Sequence, residues 1–219
     1  MFSVWGRLIG SRALGLLVFH LLTFQPANTP VARSAAPFRG PALDHVRRYQ
    51  FTARIKANAG VSPFKVGRVI TGRFTYDLKG KNKHADNLSH AAFESARNAF
   101  TFQAGDLGFS GAGEILVTTA AFKYAEHFQI VAFDLNLPMG WEMNPAKGSQ
   151  SFSFLLQNAP AKRVLADPPH IPNRLSLPDF VNTRELILDF FHGVRWPGGQ
   201  VNTRATVLAT VESLEEVGN

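Results

Sequence analysis

From residue 47 onward, apolar and polar side chains alternate with a period of two, and this pattern constrains the fold more than any other feature. The first run places Tyr49, Phe51, Ala53 and Ile55 on one side and polar residues on the other. A period of two predicts a β-strand with one buried face. Further extended runs lie at 64–78, 100–102, 114–122, 128–135, 151–156, 184–191 and 203–214. About eight strands without strand–helix–strand alternation predict an all-β fold, an antiparallel β-sandwich of jelly-roll type.

The connections and the core follow from the same pattern. Residues 91–100 also fit helical spacing, although their length and context argue against a long helix, and 105–113 reads as a cluster of turn glycines. Five prolines between 160 and 178 predict a long irregular connection. The sequence has no Cys, so packing alone must stabilise the fold. The residues predicted to share the core between two sheets are Phe51, Ile55, Phe74, Tyr76, Phe102, Ile130, Leu188 and Phe190.

The N-terminal segment has the order of an export signal. Arg7 and Arg12 precede an apolar run at 13–24, and small residues follow at 34–36. The run is shorter than the roughly 20 residues that a membrane-spanning helix needs, so we expect cleavage rather than anchoring; a short buried N-terminal helix is the alternative. The predicted organisation is a signal peptide at 1–36, a linker at 37–46 and one domain at 47–219.

Charge argues against nucleic acid as a partner. Of the 23 basic residues, three lie before residue 37, so the mature chain keeps 20 against 16 acidic residues, a net charge of +4. That charge is ordinary for a soluble domain and is not the clustered basic face of a nucleic-acid binder.

Three segments resemble a family of small exported bacterial proteins that carry a PEP-CTERM sorting tail. Residues 72–77 match its Gly-x-Phe-Thr-Tyr-Asp motif, residues 99–102 are similar to its central strand, and 175–180 resemble its Leu-Pro-x-x-Phe approach to the last hairpin. The resemblance spans roughly 49–214 and implies an exported β-sandwich without a defined active site. After Glu216 no Pro-Glu-Pro tail follows, which implies free secretion or periplasmic residence instead of surface sorting.

No catalytic motif is complete in the sequence. Residues 108–112 depart from Gly-x-Ser-x-Gly at the fifth position and lack the strand-to-helix elbow. A glycoside hydrolase would instead need two carboxylates facing each other across a cleft. The pairs to inspect for that alternative are Asp106 with Glu114 and Asp134 with Glu142.

One cluster has metal-ligating side chains, namely His84, Asp86 and His90. Imidazole and carboxylate suit Zn²⁺ or Cu²⁺. Lysines at 79, 81 and 83 repel a cation, and a tight site would need distant help from His127 or His170. We therefore predict a solvated loop, no metal and no cofactor.

Two tryptophans on Gly/Pro turns, Trp141 and Trp196, are the candidate ligand-binding residues, together with Arg195. An exposed indole can stack on a sugar ring or hold a cation, whereas core packing is the alternative role. The sequence predicts a secreted or periplasmic structural or binding module without catalytic activity. Its expected partners are extracellular polysaccharide or envelope components, and a carbohydrate-binding or glycoside-hydrolysing protein is the alternative.

Cleavage of the signal is the first testable expectation. Export should remove the N-terminus near Ala36, because the small residues at 34–36 fit signal peptidase. Mass spectrometry of the exported protein should therefore show a chain that starts close to Pro37. An intact Met1 in a soluble cytoplasmic fraction would contradict export.

Overall fold

The computed structural model describes residues 44–61, 63–87, 89–121, 126–143, 150–158, 165, 170–191, 193–201 and 204–218. The predicted signal peptide at 1–36 and residues 37–43 of the predicted linker lie outside the described residues. Among the described residues, no helix has the length and apolar character needed to cross a bilayer.

A single 3-10 turn is described, at Leu177–Asp179. The strands are β1 (Val46–Asn58), β2 (Val69–Asp77), β3 (Lys81–Asn82), β4 (His90–Glu94), β5 (Ala99–Ala104), β6 (Leu107–Ala121), β7 (Glu126–Asn136), β8 (Glu142–Met143), β9 (Gln150–Asn158), β10 (Thr183–Phe190), β11 (Val194–Trp196), β12 (Gly199–Gln200) and β13 (Ala205–Glu216).

Eight strands form a closed antiparallel barrel. Their order around it is β1, β2, β5, β6, β7, β9, β10 and β13, and β13 pairs back onto β1. The all-β antiparallel class is confirmed, but the predicted two-sheet sandwich is wrong. Side chains alternate in the same way in both architectures. Closure depends instead on pairing between the first and last strands, and the alternation within a single strand does not indicate which strands it pairs with.

Two short strands extend the barrel wall beside β6. The first half of β6 pairs with β5 and its second half with β4, and β3 pairs with the outer side of β4. Residues 91–100, which also fit helical spacing, therefore belong largely to β4 and β5. The predicted turn at 105–113 is correct only at its start, because β6 begins at Leu107. Gly105 has a φ of 65°, a left-handed conformation that suits glycine in this tight turn.

Aromatic rings fill the barrel interior. All eight predicted core residues are buried, each at 2% exposure or less. Two rings of β9 contact rings on distant strands. The ring centroids of Phe154 and Phe74 on β2 lie 4.9 Å apart, and those of Phe152 and Phe100 on β5 lie 3.8 Å apart. Because β9 stands opposite β2 in the strand order, these contacts cross the barrel. The interior is a packed core.

Gly72 provides the space that one of these rings occupies. It pairs with Phe51 across β1 and β2, and both positions face inward. A Cβ at residue 72 would stand 2.3 Å from the Phe51 ring, far inside van der Waals contact. Any larger residue there would displace the Phe51 ring.

Two tyrosine hydroxyls attach the long connection between β9 and β10 to one end of the barrel. Tyr76 donates to the carbonyl of Pro172 at 2.9 Å, and the Leu175 amide donates to the Tyr49 hydroxyl at 2.8 Å. Burial raises the pKa of both tyrosines, so both stay protonated. The irregular connection predicted for 160–178 is thus, in its described part, an ordered cover that buries Leu175.

Truncation of a cross-barrel ring should cost much more stability than truncation of an outer ring. Phe154→Ala removes contacts with two rings in a closed interior and leaves a cavity, so we expect a loss of about 3–5 kcal/mol in the free energy of unfolding. The matched control is Phe133→Ala, whose ring is 52% exposed and should change stability by about 1 kcal/mol or less. Urea unfolding measures both, and equal losses would contradict the packed interior.

Candidate functional site

Trp141 and Trp196 close the barrel end opposite the tyrosines. They are 8% and 7% exposed, and their ring centroids lie 5.4 Å apart. Trp141 packs edge-on against Phe109 at 5.5 Å and tilted against Phe190 at 5.9 Å. The Trp196 indole lies over the backbone of its paired residue Gly199. This burial favours the core-packing alternative for both indoles, and a direct role of the rings in ligand binding stays a prediction.

A row of exposed polar side chains lies on the small sheet formed by β8, β11 and β12. Arg195 pairs with Glu142 on one side and with Gln200 on the other, so the three residues share one face. All three are exposed, whereas their neighbours Val194 and Trp196 are buried. Only Arg195 was predicted as a ligand contact. Glu142 and Gln200 join it through strand pairing across gaps of about fifty and five residues, which the sequence pattern did not reveal.

The two carboxylate pairs proposed for a hydrolase occupy exposed positions. Asp106 lies in the turn between β5 and β6. Glu114 lies on β6, where its carboxylate forms an ion pair with the Lys83 ammonium. Asp134 lies on β7, and Glu142 lies on β8 in the other sheet. Glu114 is thus occupied by a cation of the chain itself, which leaves Asp134 and Glu142 as the pair open to an external group.

A serine, an aspartate and a histidine meet at the end of β2, but in an order that does not activate the serine. Asp77 is buried, and it accepts hydrogen bonds from Ser95 at 2.9 Å and Arg97 at 3.2 Å. His45 approaches the other carboxylate oxygen at 3.9 Å. A nucleophilic triad places the imidazole between serine and carboxylate, so that it can take the hydroxyl proton. Here the carboxylate is in the middle, and the arrangement is a structural network.

The Asp77 carboxylate is held in its charged form. Burial alone would raise its pKa, but hydrogen bonds from the Lys79 amide, Ser95 and Arg97 outweigh burial and lower it. The same network stabilises the break between β4 and β5, because the Asn98 side chain accepts from the Asp77 amide. The Asn98 side chain in turn donates to the carbonyl of Phe93 on β4 and to that of Ile115 on β6.

Three histidines come together on the outer wall of the barrel. The ring centroids of His84 and His90 lie 5.5 Å apart, and those of His90 and His127 lie 6.4 Å apart. Burial lowers the pKa of His90 and of His127, and in each case the neighbouring histidine lowers it further. In the described part of the chain, no group of three or more His, Asp or Glu side chains is placed, in its present rotamers, so that it could hold a metal ion. His127 is distant from the other two histidines in sequence, whereas strand pairing makes it a neighbour of His90.

Replacement of Asp77 should weaken the fold at neutral pH and reduce its acid sensitivity. A carboxyl whose pKa is lowered by folding stabilises the native state above its unfolded pKa of about 3.9, and that contribution is lost as the pH falls further. Asp77→Asn should therefore cost about 1–3 kcal/mol at pH 7 and flatten the decline in stability below pH 4. The control is Asp106→Asn in an exposed turn. Urea unfolding between pH 2.5 and 7 tests this, and an unchanged acid slope would refute it.

No family model, curated protein or solved structure matches this chain. The resemblance to tail-sorted exported proteins stays a prediction that rests on residues 72–77, 99–102 and 175–180.

Proposed function

We propose that the protein is a non-catalytic binding module, exported to the periplasm or the cell exterior, that recognises acidic polysaccharide with the row Glu142, Arg195 and Gln200. The observation that carries the proposal is the exposed polar row on a small sheet whose opposite side is packed on Trp141 and Trp196. Rings fill the described barrel interior, so a ligand would bind outside it.

The chemistry of the row suits a polyhydroxylated chain that carries carboxylates. The Arg195 guanidinium is planar, and its donors match a carboxylate in a bidentate fork. Glu142 accepts hydrogen bonds from hydroxyl groups, and the amide of Gln200 both donates and accepts. Adjacent strands place the three groups side by side, which is the spacing needed to contact consecutive polar groups of an extended ligand.

Rigid support from below makes this row better suited to binding than an ordinary surface patch. Trp196 lies next to Arg195 in β11, and its indole is held between Gly199 and Trp141. Gly199 and Gln200 are therefore held on a packed base. A fixed backbone reduces the conformational entropy that a binding surface loses when its ligand arrives.

A glycoside hydrolase of the same architecture is the alternative. Asp134 and Glu142 form the one pair considered in which no ion pair is formed by either carboxylate in the described residues, and Glu142 belongs to the proposed row. Binding and hydrolysis would thus share a surface, and a single set of titrations distinguishes them by the release of reducing ends.

Titration with alginate, an acidic polysaccharide, and dextran, a neutral one, tests the proposal. We expect saturable binding of alginate that weakens with added salt, weaker or no binding of dextran, and no release of reducing ends. Arg195→Ala should lower the alginate affinity at least tenfold. The matched control is Arg174→Ala, an exposed arginine in the connection that covers the other end of the barrel.

Two outcomes would contradict the proposal. Equal loss of affinity in both arginine variants would show that alginate follows net charge rather than the row. Release of reducing ends that is lost in Glu142→Gln would establish the hydrolase instead.

A further inference from the structure

The three clustered histidines come from separate parts of the chain, and strand pairing brings two of them to one face. His90 is the first residue of β4 and pairs with Ala120 on β6, and Ala120 pairs with His127 on β7. Paired residues lie on the same face of a sheet. That face is the outer one, because Phe128, the next residue of β7, points into the core. The imidazoles of His90 and His127 therefore both project outward. The residue between them on β6 is Ala120, whose side chain is only a methyl group.

The third imidazole comes from the turn that follows β3. His84 is exposed, and its backbone amide donates to the side chain of Asn82 at 2.9 Å. The preceding Lys83 amide donates to the carbonyl of Ala92 on β4 at 2.7 Å. These two bonds hold the turn against β4, which places the His84 ring beside His90.

Two of the three ring separations lie within about 0.5 and 1.4 Å of those expected around a shared metal ion. Zn–N bonds of about 2.0–2.1 Å at tetrahedral angles place the centres of two imidazole rings roughly 5 Å apart. The observed centroid separations are 5.5 Å for His84 and His90 and 6.4 Å for His90 and His127. Because His84 is exposed and His90 is half-buried, rotation of these two side chains would bring the three rings closer together.

Lysine charge is a weaker obstacle than the sequence suggested. The Lys83 ammonium forms an ion pair with Glu114, and Glu94 lies 4.0 Å away. Two carboxylates thus compensate the lysine nearest to His84. Asp86 follows in the same exposed turn and adds a further negative charge within two residues of His84.

We propose that His84, His90 and His127 together bind one divalent transition-metal ion of the Zn²⁺ or Cu²⁺ class on the outer wall of the barrel. Three imidazoles leave one coordination position for water or for the Asp86 carboxylate. The ion joins the turn after β3 to the barrel wall. Since the donors must rotate to converge, the affinity is expected in the micromolar range and below that of preformed structural zinc sites.

This site is independent of the polysaccharide-binding proposal. His127 lies at the start of β7, whereas the strand leads at its other end towards Trp141 and the polar row. Failure of one proposal therefore does not decide the other.

Isothermal titration with ZnCl₂ tests the metal site on the purified chain after removal of any histidine tag. We expect one ion per chain with a micromolar dissociation constant and a melting temperature that rises with zinc and returns with EDTA. His90→Gln, which removes the central ligand, should weaken binding at least tenfold. His45→Gln is the control, because the His45 ring faces the Arg97 guanidinium and Asp77.

A second measurement needs no variant and guards against loss of folding. In ¹⁵N-labelled protein, zinc should shift one imidazole nitrogen in each of the three histidines and leave that of His45 in place. Absence of saturable binding, or binding that His84→Gln, His90→Gln and His127→Gln together leave unchanged, would overturn the proposal. Shifts confined to other histidines would overturn it as well.

Discussion

Ring contacts across the barrel are the interaction on which the rest of the structure depends. Phe152 and Phe154 of β9 reach Phe100 and Phe74 on the far wall, and Phe51 joins them above Gly72. Burial of apolar surface is the main favourable term in folding, and this chain has no disulfide to add to it. Small barrels of eight strands have an interior that side chains can fill. Here aromatic rings do so.

Because side chains fill the barrel interior, a ligand would bind at the surface. The two ends of the barrel are closed by different groups. At one end, Tyr49 and Tyr76 attach the connection between β9 and β10 with their hydroxyls. At the other, Trp141 and Trp196 seal the core and support a small sheet whose outer face is polar. The buried Trp196 and the exposed Arg195 are thus neighbours in sequence that face opposite sides, because successive residues of a strand alternate between its two faces.

Strand pairing, rather than sequence distance, decides which polar groups meet. His90 and His127 are separated by 37 positions in the chain but by a single strand in the wall. Ser95 and His45 both contact Asp77 at the end of β2, so the carboxylate stands between the serine and the histidine and the cluster is a structural network. In both clusters the residue types suggest several chemistries, and only the geometry shows which atoms are close enough to act together.

The sequence by itself determined the all-β class, the approximate strand positions and the buried side of each strand, because a period of two is a local property that survives in any antiparallel architecture. It also identified Trp141 and Trp196 as turn tryptophans, but not that both are buried. Tertiary structure alone decided that the meander closes into a barrel, because closure requires β13 to pair with β1 across about 150 residues. It likewise brought Glu142 beside Arg195 and His127 beside His90, since contacts between distant strands depend on register and not on composition.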